Sequence, residues 1–216
     1  MRVFSFDLDV PVGVAADLDA LLPPAERDAP PLVRVARAAT RMLLADELEA
    51  EAGALEISRD CAHCGHPSHG RPAVVGADIS FSLSHSGAFA MLAWARGGVR
   101  VGVDVERIRP RARLDALAAR VLSEPEHAAW AAIADERDRL AAFLRAWTAR
   151  EAYLKALGIG IVTRLRDVPA RVDGWRTDEI DAGDACIAAL AVDRTEIDVI
   201  RVRAGPIATW NGGTAG

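Results

Sequence analysis

The chain has 216 residues, of which 51% are hydrophobic and 26% charged, so it is neither disordered nor fibrous and can bury a substantial core. A formal net charge of -5 argues against a general nucleic-acid binder, and three cysteines make no disulfide framework. No apolar run reaches the ~20 residues of a membrane span, and a carboxylate already stands at Asp7. We therefore expect a cytoplasmic protein with no membrane segment and no secretory leader.

Apolar periodicity predicts secondary-structure elements along most of the chain. Before residue 60 it predicts a strand at 3–8 and helices at 15–22 and 32–52. A hairpin at 79–94, a strand at 99–106 and helices at 114–122, 125–134 and 136–157 come next. The last predicted elements are a second hairpin, formed by 186–192 and 196–202, and a frayed tail at 205–216. On the surface of the helix at 32–52, Arg34, Arg37 and Arg41 lie close together, which is typical of a solvated face and also suits an anion.

The two parts of the chain share an order, a long helix followed by a hairpin. This order predicts the α+β class, as a duplicated α+β unit with a cleft between the halves. We expect an N-terminal half at 1–98 and a C-terminal half at 99–216 that carries the metal and catalytic motifs. Because one chain then supplies both walls of the cleft, a monomer is the simpler expectation.

A loop at 58–72 has the spacing of a metal site. Cys61 and Cys64 are separated by two residues, and His66 and His69 could complete a tetrahedral zinc site. All these ligands fall within nine residues, whereas zinc modules usually join two separated ligand pairs. A zinc-stabilised interaction module is therefore a minor alternative.

Lys155 is the only lysine in the chain, since every other basic residue is arginine. A background biased towards arginine converts lysines whose identity is unimportant, which suggests a specific role for Lys155. An ammonium is a compact charge with three rotatable donors, which suits phosphate oxygens.

Three carboxylates come together in the predicted elements. Asp104 and Glu106 lie on one face of the strand at 99–106, where their Cα atoms stand about 6.6 Å apart at ~3.3 Å per residue. Gly102 on that face leaves space for a ligand to approach the backbone. On the helix at 136–157, Glu151 occupies a core-facing position, and Lys155 lies one turn further along the same face.

An all-oxygen site of this kind suits Mg²⁺, which keeps waters and accepts phosphate oxygens from a substrate. The expected substrate therefore carries a di- or triphosphate. Because no glycine-rich phosphate motif occurs, Lys155, His85 and the arginines are the available phosphate donors.

Three segments carry a resemblance to a known family: FSLSHSG at 81–87, VGVDVE at 101–106 and WTAREAYLK at 147–155. In order and spacing they resemble the motifs of Sfp-type 4′-phosphopantetheinyl transferases, and the resemblance spans about 22–202. The family commonly has lysine where this chain has Arg150, a substitution that we expect to be tolerated.

The resemblance implies two α+β halves related by a pseudo-twofold axis, with coenzyme A in the cleft and Mg²⁺ on its diphosphate. Asp104, Glu106 and Glu151 would be the metal ligands. The residues implied to bind the donor are Ser84, His85 and Lys155 at the diphosphate, Arg71 and Arg41 at the 3′-phosphate, and Arg37 and Arg27 as weaker candidates.

The implied reaction moves phosphopantetheine from coenzyme A to a serine of an acyl or peptidyl carrier protein and releases adenosine 3′,5′-bisphosphate. Mg²⁺, Lys155 and His85 would neutralise the leaving group, and Glu151, or a metal-bound water that it orients, would take the serine proton. The arginine-bearing segment 107–121, with Arg111 and Arg113, is the candidate docking surface for an acidic carrier. A serine hydrolase using Ser84 or Ser86 with His85 is disfavoured, because neighbouring residues on a strand point to opposite faces.

Overall fold

The computed structural model describes residues 1–60, 65, 70–159 and 164–209. The helices are α1 (Val12–Ala20), α2 (Pro31–Leu48), α3 (Leu114–Val121), α4 (Glu124–Ala131) and α5 (Glu136–Leu157). The strands are β1 (Arg2–Asp7), β2 (Ile57–Ser58), β3 (Ala73–Val74), β4 (Ile79–Ser86), β5 (Phe89–Arg96), β6 (Val101–Arg107), β7 (Arg176–Ile180), β8 (Cys186–Val192) and β9 (Ile200–Pro206). No helix in this described part is both long and apolar enough to cross a lipid bilayer.

The larger sheet has the strand order β2-β3-β4-β5-β1-β9 and is covered by α2. A buried face of α2 packs on it, since Ala38, Ala39, Leu43 and Leu44 belong to the same buried apolar cluster as Phe6 of the sheet. This cluster is the main core of the first part of the chain.

The smaller sheet has the order β6-β8-β7 and is covered by α5. Gly102 on β6 is required for this packing, because a Cβ there would lie 1.9 Å from the carbonyl oxygen of Ala152 and 2.6 Å from the nitrogen of Ala156. The space that we expected to admit a ligand is therefore filled by the α5 backbone. That interpretation of Gly102 is wrong, since the glycine serves close helix–strand packing.

The predicted α+β class is confirmed, and the topology repeats. In each sheet a first strand (β1 or β6) is followed by a long helix (α2 or α5) and an antiparallel pair (β4–β5 or β7–β8) whose second strand bonds back to the first. The division of the chain at residue 98 stays a prediction.

The predicted second hairpin is wrong in its pairing. β8 is bonded on both edges, by β6 and by β7, so no edge is left for the segment that follows it. β9 instead lies parallel to β1 at the edge of the larger sheet, where Val202 is buried. The strand β7, which was not predicted from the sequence, is the true partner in the hairpin.

The two sheets meet where the edge of β6 lies against β4. Three serine hydroxyls of β4 accept hydrogen bonds from backbone N–H groups of β6: Ser82 from Val103 at 3.1 Å, Ser84 from Val105 at 3.3 Å and Ser86 from Arg107 at 3.1 Å. The hydroxyls satisfy N–H groups that would otherwise be buried without partners. We call these three contacts the serine ladder.

Arg150 ties α5 to its neighbours from a buried position. Its guanidinium is 4% exposed and donates to both carboxylate oxygens of Glu126 on α4, at 2.7 and 2.6 Å. It also donates to the carbonyl oxygens of Leu165 at 3.1 Å and Ala146 at 3.2 Å. These contacts use the planar fork of arginine, whereas a lysine offers only one charged point.

We expect Gly102→Ala to destabilise the protein severely, by about 3 kcal/mol or more, because backbone atoms of α5 leave no room for a Cβ. Thermal unfolding followed by circular dichroism measures this loss. The control is Gly13→Ala in α1, where a Cβ meets nothing within 4 Å and helix propensity predicts a small gain. Similar melting temperatures for the Gly102 variant and the wild type would contradict the packing described above.

The ion pair between Glu126 and Arg150 predicts a pH dependence of stability. Burial alone would raise the pKa of Glu126, but hydrogen bonds from Arg150 and Ser123 outweigh burial and lower the pKa to about 2. The stabilisation is therefore complete above pH 4.5, the ordinary value, and is lost as pH falls from 4.5 to about 2. We expect the wild type and Glu126→Gln to differ in free energy of unfolding at pH 6 and to converge towards pH 2.

Urea unfolding over this pH range measures the difference. Glu179→Gln is the control, because the pair of Glu179 with Arg145 is about half exposed on both sides and contributes little. A difference between wild type and Glu126→Gln that stays constant with pH would refute the assignment.

Candidate functional site

The three predicted carboxylates lie on two elements that pack against each other. Asp104 and Glu106 stand on β6, and Glu151 stands on α5. Asp104 is 6% exposed and Glu151 is 7% exposed, so two of the three acids are taken almost completely out of water. The core-facing position predicted for Glu151 is confirmed.

Lys155 is bonded to Asp104 rather than to the glutamate one turn before it. Its Nζ lies 2.7 Å from Asp104 Oδ1, 2.9 Å from Ser84 Oγ and 3.3 Å from the carbonyl oxygen of Val103. The Ser84 hydroxyl also donates to Asp104 Oδ1, at 2.9 Å. Asp104 Oδ1 is thus held from two sides, which leaves its other oxygen for another partner.

Two buried carboxylate oxygens have no hydrogen-bond partner among the described residues: Asp104 Oδ2 and Glu151 Oε1. Burial raises the pKa of Asp104 even though Lys155 and Ser84 act in the opposite direction. Burial, followed by the charge of Asp104, raises the pKa of Glu151. These acids therefore lack sufficient positive charge, and a bound cation would reverse both effects.

Glu106 is the most exposed of the three acids. Its Oε2 accepts from Ser86 Oγ at 3.0 Å and from Arg111 Nη2 at 2.6 Å. Arg111, which we expected on a docking surface, therefore pairs with Glu106, and its role in docking stays a prediction. Arg113 is exposed and has left-handed backbone, with φ of 58°, just before α3.

The donor chemistry of the acidic cluster, defined as Asp104, Glu106 and Glu151, fits Mg²⁺. All its donors are oxygens, and the unpartnered atoms Asp104 Oδ2 and Glu151 Oε1 belong to it. Across the described residues no group of three or more acidic, histidine or cysteine side chains is arranged to hold a metal ion by itself. Magnesium does not require one, since it typically retains water and takes substrate oxygens.

A cavity of about 300 Å³ opens beside Lys155. Apolar side chains of α2, β2 and β4 form part of its wall: Val33, Ile57, Phe81 and Leu83. Its basic and imidazole lining includes Arg37, Arg59, Arg71, His85 and Lys155. A lining with an apolar part and several cations suits a ligand that has both an apolar or aromatic group and phosphates.

The predicted phosphate ligands fall into two groups. Arg37, Arg71, His85 and Lys155 all line the cavity. Arg41 is 2% exposed and pairs with Glu26 at 3.6 Å, so our placement of it on the helix surface is wrong. Its Nη1 also donates to the carbonyl oxygen of Leu55, and its role at a phosphate stays a prediction. Arg27 donates to the carbonyl oxygen of Leu22, 2.9 Å away, and its role likewise stays a prediction.

Arg59 lines the cavity but was not predicted. Gly70 brings it there, because the Gly70 N–H donates to the Arg59 carbonyl oxygen at 2.7 Å and a Cβ on Gly70 would lie 2.6 Å from that oxygen. The Nε of Arg59 and the Nη2 of Arg71 are buried without a partner among the described residues. Burial, and then the charge of Arg37, lower the pKa of Arg59. The sequence feature that could have indicated a phosphate ligand here is the position of Arg59 in the same loop as Gly70 and Arg71.

The structure bears on one of the two alternatives drawn from the sequence, the serine hydrolase, and not on the other, the zinc site. Cys61, Cys64, His66 and His69 lie outside the described residues, so the zinc prediction stays a prediction. The hydroxyls of Ser84 and Ser86 bond to β6 and its carboxylates, whereas His85 between them is exposed and lines the cavity. This alternation disfavours a serine–histidine pair.

A family model and the two relatives described below all carry the name 4'-phosphopantetheinyl transferase. A family model, the 4'-phosphopantetheinyl transferase superfamily, matches residues 100–198. The chain is 35% identical over 127 residues to 4'-phosphopantetheinyl transferase HetI of Nostoc sp., covering 53% of this chain and 52% of that protein. It is 46% identical over 132 residues to 4'-phosphopantetheinyl transferase AcpT of Salmonella typhi, covering 61% of this chain and 60% of that protein. The chain thus spans about half to three fifths of the length of these relatives.

The matched region begins at the start of β6 and extends past β8, so it includes the strand and the helix that carry the acidic cluster. Two of the three short motifs, at 101–106 and 147–155, lie inside it and indicate the same family. Residues 100–198 thus match the 4'-phosphopantetheinyl transferase superfamily, and both relatives carry the name of that activity.

Proposed function

We propose that the protein transfers phosphopantetheine from coenzyme A to a serine of an acyl or peptidyl carrier protein. One observation carries the proposal. A buried acidic cluster with unpartnered oxygens at Asp104 and Glu151 lies beside Lys155, which also lines a cavity bordered by arginines. The arrangement pairs a cation site with an anion site, as a bound diphosphate requires.

The cavity supports coenzyme A as the donor. Coenzyme A carries an adenine, a 3′-phosphate and a diphosphate, so its recognition needs an apolar wall and several cations. Phe81 and Leu83 offer the apolar wall, and the guanidinium atoms Arg59 Nε and Arg71 Nη2 are buried donors without partners among the described residues. We propose that Arg37, Arg59 and Arg71 bind the phosphate on the ribose, and that His85 and Lys155 face the diphosphate.

In the proposed reaction the carrier serine Oγ forms a bond to the phosphorus that bears pantetheine. The bond from that phosphorus to the bridging oxygen breaks, and adenosine 3′,5′-bisphosphate leaves with the electron pair. Glu151 Oε1, which has no partner among the described residues, is the proposed acceptor of the serine proton. Lys155 and His85 stabilise the charge that develops on the leaving group.

Mg²⁺, which Asp104, Glu106 and Glu151 would hold, would supply charge neutralisation at the diphosphate. Because Asp104 Oδ1 is already bonded to Lys155 and Ser84, its Oδ2 is the oxygen available to a metal. We propose that a single chain is sufficient for activity, since the described cavity is lined by residues from both sheets' helices, α2 and α5.

We further propose a holo-[acyl-carrier-protein] synthase type of activity in polyketide or nonribosomal peptide biosynthesis. The relatives HetI and AcpT carry the name 4'-phosphopantetheinyl transferase, and those names specify no carrier.

Intact-protein mass spectrometry tests the proposed reaction. Apo acyl and peptidyl carrier proteins are incubated with the protein, coenzyme A and Mg²⁺, with and without a chelator. We expect a gain of one phosphopantetheine group, about 340 Da, that disappears with the chelator. No gain on any carrier, together with no binding of coenzyme A by calorimetry, would overturn the proposal.

We expect Lys155→Ala to lower kcat by about 100-fold, because it removes a charge that stabilises the leaving group. Coenzyme A should still bind, since the arginines of the cavity remain. Steady-state kinetics and calorimetry measure the two quantities separately. Arg145→Ala is the matched control on α5, because Arg145 is half exposed and pairs with Glu179. A Lys155 variant with unchanged turnover would remove Lys155 from the mechanism.

A further inference from the structure

Serines occupy every second position of β4, at Ser80, Ser82, Ser84 and Ser86, and the last three bond to β6. Their surroundings differ. Ser80 Oγ is buried without a partner among the described residues, whereas Ser82 Oγ accepts from the N–H of Val103. Ser84 and Ser86 accept from β6 and also donate to a carboxylate of the acidic cluster.

A hydroxyl has one proton to donate and can accept as well. In Ser86 the oxygen accepts from the Arg107 N–H at 3.1 Å, which fixes where that oxygen lies. Its one proton then goes to Glu106 Oε2 at 3.0 Å. The orientation of the Glu106 carboxylate is therefore set by a backbone group of its own strand through a side chain of the neighbouring strand.

We propose that Ser86 is a positioning residue that holds Glu106 ready for a divalent cation. By binding Oε2, the hydroxyl fixes the rotation of the carboxylate and leaves Oε1 for another partner. Residues that orient a metal ligand in this way typically change metal affinity by about 10-fold or more when removed. The inference rests on the proposed cation site and extends it to a residue that contacts neither metal nor substrate.

Arg111 acts on the same oxygen with the opposite consequence. Its Nη2 lies 2.6 Å from Glu106 Oε2, so the guanidinium compensates part of the negative charge that would attract a cation. A hydroxyl orients the carboxylate without adding charge. Loss of Ser86 should therefore weaken cation binding, and loss of Arg111 should strengthen it.

Mn²⁺ is the probe, and electron paramagnetic resonance of the free ion gives its Kd for the protein without coenzyme A. We expect Ser86→Ala to raise the Kd about 10-fold. The matched control is Ser82→Ala, which removes one rung of the serine ladder but touches no carboxylate among the described residues; its Kd should stay within about twofold of the wild type. Both variants should lose similar thermal stability, because each leaves one N–H of β6 without its acceptor. Arg111→Gln should lower the Kd.

Ser86→Cys is the second variant if Ser86→Ala does not fold, because a thiol preserves the packing but donates weakly; it too should weaken Mn²⁺ binding. Equal Kd values for the Ser82 and Ser86 variants, with Mn²⁺ bound by the wild type, would overturn the positioning role and leave the proposed function intact. A wild type that does not bind Mn²⁺ would overturn both the cation site and this inference. A higher Kd for Mn²⁺ in Arg111→Gln would contradict the competition between Arg111 and a cation for Glu106.

Discussion

In the described part of the chain, the edge of β6 that faces away from β8 pairs with no strand through its backbone, and serine hydroxyls of β4 accept its N–H groups instead. A strand edge buried without acceptors would leave several N–H groups unsatisfied, at about 1–3 kcal/mol each. Small side chains are required here, because a larger residue would hold the two strands apart. The serine ladder therefore joins the two repeated units and fixes how closely they approach.

The position of the acidic cluster follows from that contact. The same strand that needs the hydroxyls carries Asp104 and Glu106, and α5 lies close to it only because residue 102 is glycine. Close packing places Glu151 and Lys155 beside Asp104, where burial raises the pKa of both acids. The close packing of α5 on β6 thus brings negatively charged side chains together next to a cavity lined by cations. This arrangement suits a cation and a diphosphate together.

Much of this arrangement could be predicted from local patterns. The bounds of α5 follow from the Asp135 cap, which accepts from Asp138 at its start, and from Gly158 with φ of 73° at its end. The alternation on β6 and the core-facing position of Glu151 follow from residue periodicity. The partner of β9 and the burial of Arg41 could not be predicted, because both depend on contacts between distant segments. The position of Arg59 could not be predicted for the same reason, since the close approach of Gly70 to the Arg59 backbone brings this residue to the cavity.

The most direct test of the account is a crystal structure of the protein with coenzyme A and Mn²⁺, with anomalous scattering measured at the manganese edge. We predict an anomalous peak within coordination distance of Asp104 Oδ2 and of oxygens of Glu106 and Glu151, with the diphosphate of coenzyme A beside Lys155. The adenine should lie near Phe81, and the 3′-phosphate should contact Arg59 and Arg71. Coenzyme A bound elsewhere, or manganese bound away from these three acids, would contradict the account.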